Sequence, residues 1–156
     1  MNIRFARINE IEEIRVLIEL STSNLQAGFY RPEIIGEALE LVSGIKKMVI
    51  ERKLFIAEVS GSIVAIGGYK HLQGSNEAEL KAFFVHPGHA RQGVASEILN
   101  KCVAQLKLEK VKRLFLVATL AGEPFYIKHG FKESNRESVT LSSGSKFEVV
   151  HMKKTL

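Results

Sequence analysis

The chain has 156 residues, of which 46% are hydrophobic and 25% charged, and its formal net charge is +5. This balance predicts one globular domain spanning residues 1–156. The single cysteine, Cys102, excludes an internal disulfide, and the sequence holds no cysteine cluster for structural zinc. No apolar run approaches the roughly 20 residues of a membrane helix, and the N-terminus lacks a signal-peptide core. We therefore expect no membrane association and a cytoplasmic setting.

The basic residues are scattered along the chain. Their densest clusters are the pairs Lys46-Lys47 and Lys153-Lys154, and no basic stripe is interleaved with aromatic residues. This distribution favours a solvated surface over a nucleic-acid-binding patch.

The first third of the chain predicts a strand and two helices. Residues 2–7 alternate as a strand does, and Asn9 and Glu12 have the spacing of a capping box. Apolar residues at helical spacing then predict a helix over about residues 10–20. After an irregular stretch, Pro32 suits the first turn of a second helix that reaches about Val42.

The middle of the chain predicts three strands and a long helix. The β-rich runs are Leu54–Val59, Ile63–Tyr69 and Ala78–Val85, and Ser60-Gly61 is typical of a hairpin turn between the first two. From near Gly93, two neighbouring apolar stripes predict a helix; they contain Val94, Ile98 and Cys102, and Ala95, Leu99, Val103 and Leu106.

The last third predicts a strand, a short helix and a hairpin. Leu114–Val117 is an all-apolar strand of the kind buried on both faces. Pro124 and Gly130 suit the start and the end of a short helix. The runs Phe131–Leu141 and Lys146–Met152 flank Ser142–Ser145 as a second hairpin. The order βααβββαβαββ predicts a mixed α/β sheet with helices on its faces, which several α/β folds share.

The segment Glu79–Leu99 joins a strand to a helix through small residues. Gly88, Gly93 and Ala95 would allow the backbone to approach a ligand closely, and the first helix amides would attract a pyrophosphate. The segment is neither a Walker A loop nor a dinucleotide fingerprint. From the residues alone, a phosphate site and a plain strand-to-helix turn both stay open.

This segment resembles the acetyl-CoA-binding motif of the GNAT superfamily of N-acetyltransferases. That motif reads (Gln/Arg)-x-x-Gly-x-(Gly/Ala) after a strand that ends in Val-x-Pro. Val85-His86-Pro87 matches the strand end, and Gly93 and Ala95 match the two small positions. Ala90 occupies the Gln/Arg position, which is a departure from the motif.

A second segment, Glu123–Phe131, is similar to the family's later motif, a Phe-Tyr pair followed by Gly-Phe. Thr119 and Gly122 precede it where small residues are usual. The resemblance implies a mostly antiparallel sheet of about seven strands that splays between the fourth and fifth, flanked by about four helices. Residues 21–52 carry little of the resemblance, and in this family that region shapes the acceptor site.

The resemblance also implies acetyl-CoA as co-substrate. No metal is expected, because the histidines and the single cysteine show no metal-ligand spacing. The backbone of Phe84 and Val85 would bond the pantetheine arm, and one of their amides would stabilise the thioester oxyanion. The pyrophosphate would be held by the amides of Arg91, Gln92, Gly93, Val94 and Ala95.

Two side chains are candidates for the chemistry. Tyr126 falls where the family places a phenol that protonates the leaving thiolate. Glu79, six residues before Val85, falls where some members carry a catalytic base. Alternation puts Glu79, Lys81, Phe83 and Val85 on one face unless a bulge intervenes. The structural alternatives are that Tyr126 only packs its ring against the short helix and that Glu79 only forms a surface ion pair with a lysine.

Other candidates have a weaker basis in the sequence. Phe29, Tyr30 and Arg31 are candidates for acceptor binding, with Arg31 suited to a carboxylate, and helix packing beside a surface arginine is the alternative. His86 is more typical of a solvated turn, and the five histidines lack metal-ligand spacing. Cys102 suits a core position better than a nucleophilic one.

Three functions remain to be compared. The first is an N-acetyltransferase that acts on a primary amine of a small acceptor by direct attack. The second is a non-catalytic acetyl-CoA-binding sensor or interaction module, and the third, suggested only by charge, is a nucleic-acid-binding protein. Some family members dimerise through their last strands, so a homodimer and a monomer both stay open.

Overall fold

The computed structural model describes residues 1–25 and 44–156. Its strands are β1 (Asn2–Phe5), β2 (Leu54–Val59), β3 (Ser62–His71), β4 (Glu77–Val85), β5 (Arg113–Ala118), β6 (Lys132–Thr140) and β7 (Lys146–Thr155). Its helices are α1 (Ile11–Leu25), α2 (Ile45–Ile50), α3 (Val94–Leu108) and α4 (Glu123–Lys128), with 3-10 turns at Ile8–Glu10 and Pro87–His89. Within these residues no helix is both long and apolar enough to cross a membrane.

The strands form one seven-stranded sheet in the order β1-β2-β3-β4-β5-β7-β6. Strands β4 and β5 run parallel, and the other described neighbours run antiparallel. The β4–β5 ladder contains three residue pairs and ends at Glu79 and Phe115. Beyond that row the two strands continue to Val85 and Ala118 without pairing with each other, so the sheet opens into a gap between them. This confirms the predicted splay between the fourth and fifth strands.

Each face of the sheet has its own core. The α3 face is the one on which Ala78, Leu80, Leu114, Leu116 and Val150 pack against Ile98 and Leu99 of α3. The α1 face is the one on which Leu54, Ile56, Ile63 and Ile66 pack against Ile14 and Leu17 of α1 and Met48 of α2. Burial of each such side chain stabilises the folded protein by about 1.5–3 kcal/mol, and this burial holds the helices against both faces of the sheet.

A β-bulge interrupts β4 at Ala82. Lys81 lies opposite Gly68 and Phe84 opposite Ile66, so β4 has one more residue than β3 here. Ala82 takes up the irregularity with φ of +63°. The bulge breaks the expected alternation: Glu79 and Lys81 are on the α1 face, whereas Phe83 and Val85 pack on the α3 face.

Other expectations also needed correction. The cap at the first helix is formed by Glu10, whose carboxylate accepts the Arg7 N–H at 2.8 Å, and not by Asn9 and Glu12. Strand β5 is not buried on both faces along its whole length, because Val117 is 46% exposed on the α1 face. The second helix predicted from Pro32 lies outside the described residues. The short helix α2, which begins after Gly44 at φ +77°, was not predicted.

Candidate functional site

The gap between β4 and β5 exposes backbone groups of β4. His86 N–H donates to Val64 O at 2.7 Å, and Val85 lies opposite Ala65. Because an antiparallel ladder alternates its bonding direction, Val85 points its N–H and C=O away from β3 and into the gap. The same alternation turns the N–H of Phe84 toward β3. Of the two predicted backbone ligands, Val85 is thus the one that borders the gap.

Phe83 adds a second backbone group that the sequence did not indicate. It lies directly after Ala82 at the bulge, where the β3–β4 ladder is interrupted between Lys81 and Phe84. Its ring packs edge-on against Tyr126 at 6.2 Å between ring centroids. The bulge takes the backbone of Ala82 and Phe83 out of the regular β3–β4 ladder.

The N-terminus of α3 lies at the end of the loop that leaves β4. Gly93 is its N-cap at φ +83°, a conformation that glycine adopts without strain. The first intrahelical bond joins Glu97 N–H to Gly93 O at 3.1 Å, so the amides from Gly93 to Ser96 have no partner within the helix. No side chain caps them. Val94 is buried under the turn, which packs the start of α3 against the sheet.

Two side chains shape the loop before α3. His86 accepts the Gly88 N–H through Nδ1 at 3.0 Å, and Gln92 donates to Gly88 O at 3.3 Å. Arg91, at φ +61°, is exposed. His86 is therefore part of the loop's own hydrogen bonding, which fits the structural interpretation. The loop is held by these bonds in a tight turn with space beside Gly93, where an added Cβ would meet no atom within 4 Å.

Tyr126 lies on α4 with its ring enclosed by three phenylalanines. The centroid of Phe125 is 5.0 Å away, that of Phe131 5.8 Å and that of Phe83 6.2 Å. Burial raises the pKa of the phenol well above its ordinary value, so the hydroxyl keeps its proton at neutral pH. None of the described residues forms a hydrogen bond with that hydroxyl. A protonated phenol with a free donor is what a leaving thiolate requires.

His129 joins α4 to the first turn of α3. Its Nε2 lies 2.8 Å from Ser96 Oγ, and its ring packs on Phe125 at 4.7 Å. Burial, followed by the charges of Lys128 and Lys154, lowers the pKa of the imidazole. The Lys154 ammonium also donates to His129 O at 2.8 Å. No periodic or motif signal predicts this contact, because Ser96 and His129 are 33 residues apart in the sequence.

Glu79 is a half-buried carboxylate at the mouth of the gap. The other half-buried glutamates of the described chain all have an arginine partner: Glu10 and Glu58 pair with Arg4, Glu77 with Arg113 and Glu123 with Arg136. Glu79 pairs with no described cation. Such a carboxylate is free to take part in binding or proton transfer, which fits the predicted role.

The remaining predicted residues divide into two groups. Cys102 is buried in α3, and burial raises the pKa of its thiol to about 12, so it belongs to the core as expected. Phe29, Tyr30 and Arg31 lie outside the described residues. The structure thus brings the β4 end, the α3 turn and Tyr126 together through the contacts of Phe83 and His129.

Comparison with known proteins agrees with this arrangement. A family model described as an acetyltransferase (GNAT) domain matches residues 38–156. No curated protein matches the sequence.

Solved structures share the fold at low sequence identity. A GCN5-related N-acetyltransferase from Rhodopseudomonas palustris superposes with a TM-score of 0.83 at 17% identity, over 99% of this chain and 95% of that one. The PaiA N-acetyltransferase from Thermoplasma acidophilum, solved with coenzyme A, gives 0.80 at 18% identity, over 99% and 98%. The ribosomal-protein-S18-alanine N-acetyltransferase from Escherichia coli gives 0.69 at 18% identity, over 99% and 92%.

Proposed function

Because the chain belongs to the family of acetyltransferase (GNAT) domains, we propose that it transfers the acetyl group of acetyl-CoA to a primary amine of a small acceptor. The observation that carries this proposal is the opening of the β4–β5 gap directly beside the uncapped N-terminus of α3. The gap suits the extended, amide-bearing pantetheine arm, and the N-terminus of α3 suits the pyrophosphate. Acetyl-CoA joins these two chemical groups in one molecule.

Binding in this proposal is mainly a backbone function. The amides of Gly93, Val94, Ala95 and Ser96, with the preceding Arg91 and Gln92, form the anion site. Val85 offers one N–H and one C=O to the pantetheine arm across the gap. A backbone site explains why Ala90 is tolerated at a position where the family motif has a longer polar side chain.

The chemical step uses three groups of the chain. Glu79 accepts the proton that the amine loses as its nitrogen bonds to the acetyl carbon. The N–H of Phe83 or Val85 stabilises the negative charge on the acetyl oxygen. Tyr126 donates its proton to the sulfur as the carbon–sulfur bond breaks, so the products are an acetylated amine and CoA in its thiol form. Glu79 then releases the proton it gained, and Tyr126 takes one up, so the enzyme returns to its starting state. Attack is direct, in a ternary complex, and Cys102 takes no part because its thiol stays protonated and buried.

Calorimetric titration of acetyl-CoA is the first test, with Gly93→Glu and Gly61→Glu as matched variants. Both glycines have positive φ, +83° and +81°, and at both an added Cβ would meet no atom within 4 Å. The backbone strain is therefore alike, but only Gly93 lies at the proposed anion site. We expect Gly93→Glu to weaken binding at least about tenfold through repulsion of the pyrophosphate, and Gly61→Glu to bind as the wild type does.

Absence of acetyl-CoA binding by the wild-type protein would overturn the proposal. Equal losses in both variants would remove the assignment of the pyrophosphate to the α3 turn. Release of CoA thiol with a panel of primary amines then tests transfer itself. Tight binding without thiol release from any amine would favour the sensor function instead.

A further inference from the structure

Lys81 stands out among the lysines of the described chain. Three of them are half-buried: Lys53, Lys81 and Lys154. Lys53 lies 3.8 Å from the Glu51 carboxylate, and Lys154 donates to His129 O at 2.8 Å. Lys81 pairs with no described carboxylate and donates to no described acceptor. A partly desolvated ammonium that lacks a counter-ion is stabilised when an anion binds beside it.

The position of Lys81 connects it to Glu79. The two residues are separated by one position of β4 and lie on the same α1 face, about 7 Å apart along the strand. Their side chains do not form an ion pair with each other. Glu79 and Lys81, both half-buried and without a described partner, thus follow one another on the α1 face of β4 where the gap begins. The Lys81 ammonium lies beside Gly44, 3.9 Å from the position that a Cβ would take there.

The opposite wall of the gap is apolar. Glu79 and Phe115 form the last paired row of β4 and β5, and Val117 lies two residues beyond Phe115 just as Lys81 lies two beyond Glu79. Val117 is on the α1 face and is 46% exposed. The site therefore presents an acid, a base and an apolar surface to whatever approaches the gap from the α1 face.

We propose that the acceptor is an amino acid whose carboxylate binds the Lys81 ammonium while its amine lies at Glu79. This inference rests on the proposed acetyl transfer and names the substrate class of the same site. The charges of an amino acid are complementary to those of the site, and its side chain would lie against Val117. A single lysine balances one negative charge, which suits a carboxylate better than a phosphate dianion.

The test compares α-amino acids with their α-amides as acceptors, leucine and leucinamide first, by thiol release from acetyl-CoA. The amide keeps the primary amine and the side chain and removes the negative charge, which also makes the amine less basic. We expect wild-type kcat/KM to be at least about tenfold higher for leucine, although the amide has the less basic amine. Lys81→Gln should abolish this preference, so that the ratio of kcat/KM for leucine to that for leucinamide falls to one or below, and Lys81→Arg should retain part of it. Lys70→Gln is the control, because Lys70 is the backbone neighbour of Glu79 across the β3–β4 ladder, forms no ion pair with it and is exposed.

Equal rates for leucine and leucinamide, or a preference that survives Lys81→Gln, would overturn the inference while leaving acetyl transfer intact. Binding of N-acetyl-leucine in the presence of CoA gives a readout that needs no turnover. Calorimetry should show binding that Lys81→Gln weakens at least about tenfold and Lys70→Gln does not. Absent or unaltered N-acetyl-leucine binding in a protein that binds CoA would overturn it as well.

Discussion

Glu79 and Phe115 form the last residue pair that β4 and β5 share. Glu79 also pairs with Lys70 of β3, so its backbone is held from both sides at the point where the sheet opens. A carboxylate on such a backbone keeps its position relative to the gap. Proton transfer depends on that position before it depends on acidity.

Replacement of Glu79 by Gln should lower kcat/KM about 100-fold near neutral pH, because the amine loses its proton acceptor. The loss should shrink as pH rises, since hydroxide can then take the proton in place of the missing carboxylate. Glu77→Gln is the matched control: Glu77 is on the same strand and face but pairs with Arg113 at 2.9 Å. A pH–rate profile in which the two variants behave alike would exclude Glu79 as the base.

Tyr126→Phe removes one hydroxyl and keeps the ring against Phe83, Phe125 and Phe131. If the phenol protonates the sulfur, kcat should fall about 100-fold with little change in acetyl-CoA affinity. Because burial raises the pKa of Tyr126, the wild type should not lose this acid at moderately alkaline pH. Tyr69→Phe is the control, since Tyr69 is buried away from the gap. A Tyr126→Phe variant with wild-type kcat would leave Tyr126 a packing residue only.

The sequence predicted the elements whose local pattern is strong. The apolar stripes of α3 correspond to its buried Val94, Ile98, Leu99, Cys102 and Leu106. The Ser60-Gly61 turn is present with φ of +52° and +81°. In both cases the periodicity or the turn chemistry is contained in a few neighbouring residues, which is why sequence alone suffices.

The features that arrange the site were not predictable in this way. The bulge at Ala82 has no glycine to indicate it, and it moves Phe83 and Val85 to the opposite face from Lys81. Val117 is an apolar residue in an apolar strand, which suggests burial, but its exposure depends on which elements pack over β5 in the fold. Glu79 and Lys81 likewise lack ion-pair partners because of the residues that the fold places around them, and these are distant in the sequence.

Gly67→Ala should destabilise the protein by about 1–3 kcal/mol, because its Cβ would lie 2.7 Å from the Phe83 ring and 2.8 Å from Ile98. Urea unfolding with a fixed m-value measures this. Gly122→Ala is the control, since its Cβ would come no closer than 3.4 Å to Thr119 and its φ is −83°. Equal stability of Gly67→Ala and the wild type would show that α3 and Phe83 are not packed tightly over β3.

His129 should make stability depend on pH below neutrality. Its pKa is lowered in the folded protein by burial and by Lys128 and Lys154, whereas an unfolded histidine titrates near 6.5. Between the lowered value and about 6.5 the unfolded chain binds more protons, so stability rises with pH and is lost as pH falls. His129→Gln should therefore flatten the melting temperature measured between about pH 5 and pH 7.

Lys128→Gln is a second variant for the same measurement of melting temperature against pH. It removes one of the charges that lower the His129 pKa, so the pKa should return part of the way to its ordinary value and the pH dependence should shrink. Lys128 is exposed, which keeps the packing of α4 unchanged. Parallel melting curves for the wild type and His129→Gln would show that the Ser96–His129 contact joins α3 to α4 without sensing pH in this range.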